Sequence, residues 1–150
     1  LCRIPLLGKL GDQGLNLFAR AALTMAVEKP LSAAARAGFM APYDSWTNRI
    51  AVHEFVQDIP LDPSHRSYST LTEVEQSLAK FQNHPMQLIW GMKDWCFTPG
   101  QFLSEFRRRF PNAQSLELPN AGHYVFEDAA DAVLRQARQF LHEGFTSRLK

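Results

Sequence analysis

Residues 69–150 predict an α/β architecture, parallel strands covered by helices, and residues 1–68 predict a helical segment ahead of it. Three observations carry this reading. In the second half, short apolar runs bounded by Pro or Gly alternate with stretches of 3.6-residue apolar spacing. Their order from residue 70 is helix, strand, helix, strand, helix, an alternation that produces parallel strands joined by right-handed crossovers. The first half shows helical spacing broken by Pro5, Pro30, Pro42, Pro60 and Pro63, with no convincing strand pattern.

Each element has its own signal. In NLFARAALTMAVEKP, Leu17, Phe18, Ala21, Ala22 and Met25 recur at helical spacing, and Pro30 stops the run. DSWTNRIAVHEFV offers Asp44 or Ser45 as an N-cap and puts Trp46, Ile50 and, less neatly, Phe55 on one side. TLTEVEQSLAKF carries a capping-box pair, Thr70 and Glu73, and an apolar seam at Leu71, Val74, Leu78 and Phe81. MQLIW (86–90), between Pro85 and Gly91, reads as a buried strand. PGQFLSEFRRRF opens with a proline suited to a first helical turn and repeats Phe102, Leu103, Phe106 and Phe110. It gathers Arg107, Arg108 and Arg109 at its C-terminal end, where cations meet the negative pole of the helix; they read as a solvated helix end. AQSLELP (113–119) is the second strand candidate. EDAADAVLRQARQFL closes the series with acids first and an apolar face of Ala130, Val133, Leu134, Ala137, Phe140 and Leu141. Two strands are too few for a free-standing sheet, so the chain is expected either to be half of a larger α/β protein or to hide strands in its first half. Its opening at Leu1, in mid-pattern, favours a fragment.

Composition narrows the function classes. A chain of 150 residues, 45% of them apolar, supports one domain, or one domain with a modest subdomain. A net charge of +1, without a basic tract, argues against nucleic acid or anionic lipid as partner. The longest apolar-looking stretch, Asn16 to Val27, includes Arg20 and Thr24 and falls short of a bilayer span. The N-terminus lacks the pattern of a secretory signal, so a cytoplasmic location is the default. Cys2 and Cys96 form no CxxC, and His53, His65, His84 and His142 share no metal-ligand spacing; these histidines read as surface or packing residues. Neither a metal nor a cofactor is expected, and the absence of G-x-G-x-x-G and G-x-x-x-x-G-K-[ST] loops disfavours a nucleotide-binding domain.

Functional residues in open α/β sheets collect beyond the carboxyl ends of strands. Two candidates fall there: Asp94, in WGMKDWCFTP, and His123, in NAGHYVFED, 29 positions later. Parallel neighbours bring both loops to one sheet edge. A histidine acting as general base needs a carboxylate on one ring nitrogen to fix its tautomer and stabilise the imidazolium that forms. Gly122 suits the turn that aims His123 outward. Glu117, inside the strand, and Glu127 and Asp128, favourable as first-turn charges, are weaker acids for this role. Cys96, without a base nearby in sequence, reads as a small buried hydrophobe. Taken singly, Asp94 could be an ordinary turn residue and His123 a helix-entry residue; their joint occurrence after successive strands favours the catalytic pair.

LIWGMKDWCFTP, followed by a helix, a strand, AGHYVFED and a final amphipathic helix, resembles the last third of an α/β-hydrolase. The resemblance is closest to the branch of haloalkane dehalogenases, epoxide hydrolases and the β-lactone decarboxylases of olefin biosynthesis. WGMKDWCF and FVQDIP look most like the last group. The family pattern G-x-x-D-x-x-x-x-P sets its triad acid on Asp94, and A-G-H sets its base on His123. APYDSWTNRIAVHEFVQDIPLDP (41–63) resembles the end of the helical cap. This implies a cap over residues 1–68 and, over residues 69–150, the C-terminal part of an α/β-hydrolase core. It also implies an apolar or acyl-chain small-molecule substrate that Trp46, Trp95, Phe97 or Tyr124 touches, although packing is the plainer role for each. The family's nucleophile sits on a G-x-[S/D/C]-x-G turn, and no pair of glycines here frames one. The resemblance therefore implies a missing N-terminal half as partner, little activity in these residues alone, and a nucleophile that is Asp, Ser or Cys. The alternative is a non-catalytic binding or assembly module derived from such a fold.

Overall fold

A computed structural model describes Ile4 and residues 6–146; Cys2 and Pro5 lie outside the described residues. The chain forms two compact units, one of Leu1–Met25 with Pro30–Gln76, the other of Ala26–Lys29 with Ser77–Lys150.

The first unit is helical. α1 (Leu7–Lys9) runs into a π-turn, Leu10–Gly14, and is followed by α2 (Leu17–Met25), α3 (Ala33–Met40), α4 (Ile50–Gln57) and α5 (Tyr68–Ser77). α3 has no counterpart among the sequence expectations; its cap is Ser32, whose Oγ accepts from the Ala35 N–H at 3.1 Å. Neither of the two caps offered before α4 takes that role: the N-cap is Arg49, without a side-chain bond, and Ser45 accepts from the Asn48 N–H at 3.2 Å in the 3-10 turn Thr47–Arg49 ahead of the helix. Thr70 lies inside α5 rather than at its cap, because the helix starts at Tyr68. The interior of this unit mixes apolar Leu23 and Val56 with polar groups. Asp12, Gln13 and Asn16 are buried. Arg49 donates from Nη1 to the Gln13 and Gly14 carbonyls and from Nε to that of Tyr43, satisfying acceptors that the end of the π-turn leaves open. Asn16, at φ 55°, tolerates the left-handed backbone between π-turn and α2 and donates from Nδ2 to Tyr43 O. His53 is neither surface nor simple packing: its Nδ1 stands 3.2 Å from Asp12 Oδ2.

The second unit has the predicted α/β order. β1 (Gln87–Gly91) leads through a π-turn at Pro99–Leu103 into α6 (Ser104–Arg109). β2 (Gln114–Leu118), α7 (Val125–Asp128) and α8 (Ala130–Thr146) follow. The strands pair in parallel, in register from Gln87↔Gln114 to Gly91↔Leu118. Leu118, Ala121 and Val133 are buried together, with Ile89, Leu116, Val125, Ala129 and Ala132 packed around them, so α8 covers one face of the pair. Leu103 and Phe110, at the two ends of the crossover, are also buried. Each such side chain contributes about 1.5–3 kcal/mol relative to exposure.

The arginines of α6 do not simply dangle in solvent. Arg107 pairs with Glu117, while Arg108 and Arg109 both bond Glu105. Hydrogen bonds from Arg108 and then Arg109 hold the Glu105 carboxyl down to about 2, against an ordinary value of 4.5. A depressed folded-state value means that the contacts stabilise fully above pH 4.5 and lose their effect as pH falls from there toward about 2. Glu105→Gln should therefore remove this group's share of the fall in stability between pH 4.5 and about 2 by lowering stability above pH 4.5 and not at pH 2, a small change because the cluster is solvent-screened. Urea melts across that range test this.

Candidate active site

Both strands release their chains at the same edge, and the backbone pairing continues into the loops. Met92 N donates to Leu118 O and Lys93 N to Ala121 O, each at 3.0 Å. The chain then turns, with Asp94 N on Gly91 O at 3.1 Å, and buries the Asp94 side chain. The two oxygens of Asp94 divide their work. Oδ1 accepts from the Cys96 and Phe97 N–H groups, both at 2.8 Å, tying the carboxylate to its own loop. Oδ2 accepts from His123 Nδ1 at 3.0 Å. Trp90 steadies the same loop by donating from Nε1 to Phe97 O at 2.9 Å.

This approach requires glycine at 91. A Cβ there would stand 2.1 Å from Gly122 O and 2.6 Å from Ala121 O, both backbone atoms of the histidine loop. Absence of a side chain at the end of β1 is thus what lets the two loops touch.

A carboxylate only accepts, so Nδ1 carries the proton and the lone pair of the neutral ring is at Nε2. The ring lies with Phe97 at 5.1 Å and Tyr124 at 5.7 Å between centroids, the latter pair stacked. A cleft of about 170 Å³ opens here, lined by Asp94, His123, Phe97, Trp90, Ile89 and Val125. Of the residues expected to touch substrate, Phe97 lines this cleft and Tyr124 flanks its histidine. Trp95 is exposed and does not line it. Trp46 belongs to the helical unit, where its carbonyl accepts from Gln13 Nε2 at 3.4 Å. Cys96 is exposed, not the buried hydrophobe expected. Partial burial, then the Asp94 charge beside it, push its thiol above the ordinary value, so it is protonated at neutral pH and a poor nucleophile. Among the described residues no three metal-ligating side chains come together, and no helix is long and apolar enough to cross a membrane.

Two residues of this region were passed over in the sequence. Gly91 read only as the stop of a strand. Asp128 read as a first-turn charge, yet it is buried and accepts the Gly122 N–H at 2.8 Å as well as the N–H groups of Glu28 and Lys29. An acid placed five residues after a candidate catalytic histidine was the available signal, and helix-dipole logic explained it away.

A family model described as the alpha/beta hydrolase fold matches residues 15–130. A cis-3-alkyl-4-alkyloxetan-2-one decarboxylase of Shewanella oneidensis is 39% identical over 144 residues, covering 95% of this chain and 45% of that protein. Its namesake in Xanthomonas campestris pv. campestris is 38% identical over 135 residues, covering 90% and 45%. A loop variant of the haloalkane dehalogenase DbeA from Bradyrhizobium elkanii superimposes with a TM-score of 0.89 at 21% identity, covering 99% of this chain and 48% of that one. The chain thus spans about half the length of the relatives it matches.

Gly91→Ala should cost about 3 kcal/mol by forcing two backbones apart, whereas Gly100→Ala, with no atom within 4 Å of its added carbon, should stay within about 0.5 kcal/mol. Equilibrium urea unfolding of the two variants separates these outcomes.

Proposed function

This chain belongs to the α/β-hydrolase fold family, and from that premise we propose that Asp94 and His123 are the acid and base of a catalytic triad whose nucleophile lies outside these 150 residues. The observation that carries the reading is the 3.0 Å bond from His123 Nδ1 to Asp94 Oδ2, made at the edge where two parallel strands end. In this reading Nε2 takes a proton from the nucleophile or from water while Asp94 stabilises the imidazolium. The missing N-terminal half supplies the nucleophile and is the partner this chain needs, and the helical unit is its cap.

The substrate class we propose is an apolar small molecule cleaved without a cofactor, a strained lactone ahead of a haloalkane. Identity to the two oxetanone decarboxylases, 39% and 38% over nearly the whole chain, supports the lactone. An oxetan-2-one is a four-membered lactone, and its alkyl arms suit a cleft walled by Phe97, Trp90, Ile89 and Val125. Tyr124, Trp95 and Trp46 are proposed as further substrate contacts, and the cytoplasm as the site of action.

A chimera carrying these residues behind the N-terminal portion of the Shewanella oneidensis relative tests the reading. It should release carbon dioxide from a cis-3,4-dialkyl oxetan-2-one, and Asp94→Asn or His123→Ala should each lower the rate by about 10³-fold or more. An active chimera indifferent to both substitutions would remove the pair from catalysis and leave a binding or assembly module as the better account.

A further inference from the structure

We infer that Asp128 is a positioning residue for His123, acting through the backbone of the histidine loop. The inference rests on the proposed role of His123 and extends it to a group that does not face the cleft.

The Asp128 side chain is almost wholly buried. Its Oδ2 accepts from Gly122 N at 2.8 Å and from Glu28 N at 3.1 Å. Its Oδ1 accepts from Glu28 N at 3.0 Å and Lys29 N at 2.9 Å. One carboxylate therefore gathers three backbone N–H groups, from two segments about a hundred positions apart. Lys29 closes the arrangement by donating from Nζ to the Asp128 carbonyl at 2.7 Å.

The segment of Ala26–Lys29 works as a strap. It donates to Asp128 on one side of His123, and on the other Ala26 O accepts from Tyr124 N at 2.7 Å. The residues before and after His123 are thus both held by hydrogen bonds: Gly122 directly by Asp128, Tyr124 through the strap that Asp128 anchors. With its neighbours fixed, the α-carbon of His123 has little freedom, and the reach of Nδ1 to Asp94 Oδ2 is set before any substrate arrives. A carboxylate suits this place better than an amide. It offers two acceptor atoms and no donor, whereas the NH₂ of an Asn would face a backbone N–H on whichever side it occupied.

The readout is the tautomer of the neutral His123 ring in the full 150-residue chain, followed by long-range ¹H–¹⁵N correlation spectroscopy. The wild type should show the Nδ1–H form almost alone, and Asp94→Asn should give a mixture. Asp128→Asn should also give a mixture, although it leaves Asp94 in place. Leu103→Ala, a buried change on the crossover, controls for lost stability and should keep the wild-type ratio. If Asp128→Asn does not fold, Asp128→Glu is read in the same way, because its longer arm cannot meet the same N–H groups without moving Gly122. An unmoved ratio in the Asp128 variant, or an equal loss in Leu103→Ala, overturns the inference while leaving His123 in its proposed role. A wild-type ratio indistinguishable from that of Asp94→Asn overturns the His123–Asp94 reading itself, and this inference with it.

Discussion

Parallel pairing of β1 and β2, in a register that ends with Gly91 opposite Leu118, is the constraint on which the site rests. Parallel strands release their chains at one edge, so a carboxylate and an imidazole from the loops after consecutive strands emerge side by side without any special device. Two further backbone bonds extend the pairing into the loops, and a missing side chain at Gly91 lets them touch. The acid and the histidine are carried by the sheet's own geometry, which is stiffer than that of a free loop.

Burial then gives the pair its direction. Asp94 has one oxygen committed to its own backbone, so only the other is offered to the histidine, and rotation of the carboxylate would break two N–H bonds at once. Partial burial and then the same negative charge discourage ionisation of the neighbouring Cys96 thiol. Aromatic rings at Phe97 and Tyr124 flank the imidazole at centroid distances of 5.1 and 5.7 Å.

The sequence was most legible where one rule dominated. MQLIW and AQSLELP became strands, the crossover kept its proline start, and the α/β class followed from alternation alone. It was least legible where burial depended on distant partners. Leu71, Val74 and Phe81 have helical spacing yet stay largely exposed, and Trp46, Ile50 and Phe55 do the same in the first half. Spacing reports a face and says nothing of what covers it. Polar residues went the opposite way: no pattern pointed to burial of Asp12, Gln13 and Asn16, yet they are buried in the helical unit, as are Leu23 and Val56. Asp128 met a local explanation that was true and insufficient, because its partners at Glu28 and Lys29 lie beyond the reach of any local pattern.

The strap at Ala26–Lys29 has a consequence for how the chain reaches its native state. Contacts spanning about a hundred residues carry the entropic cost of closing a long loop, which their hydrogen bonds must offset. The sheet edge and the acid loop, built from neighbouring segments, form from short-range contacts. A piece cut at residue 69 would keep both loops while taking away two of the three backbone donors of the Asp128 carboxylate.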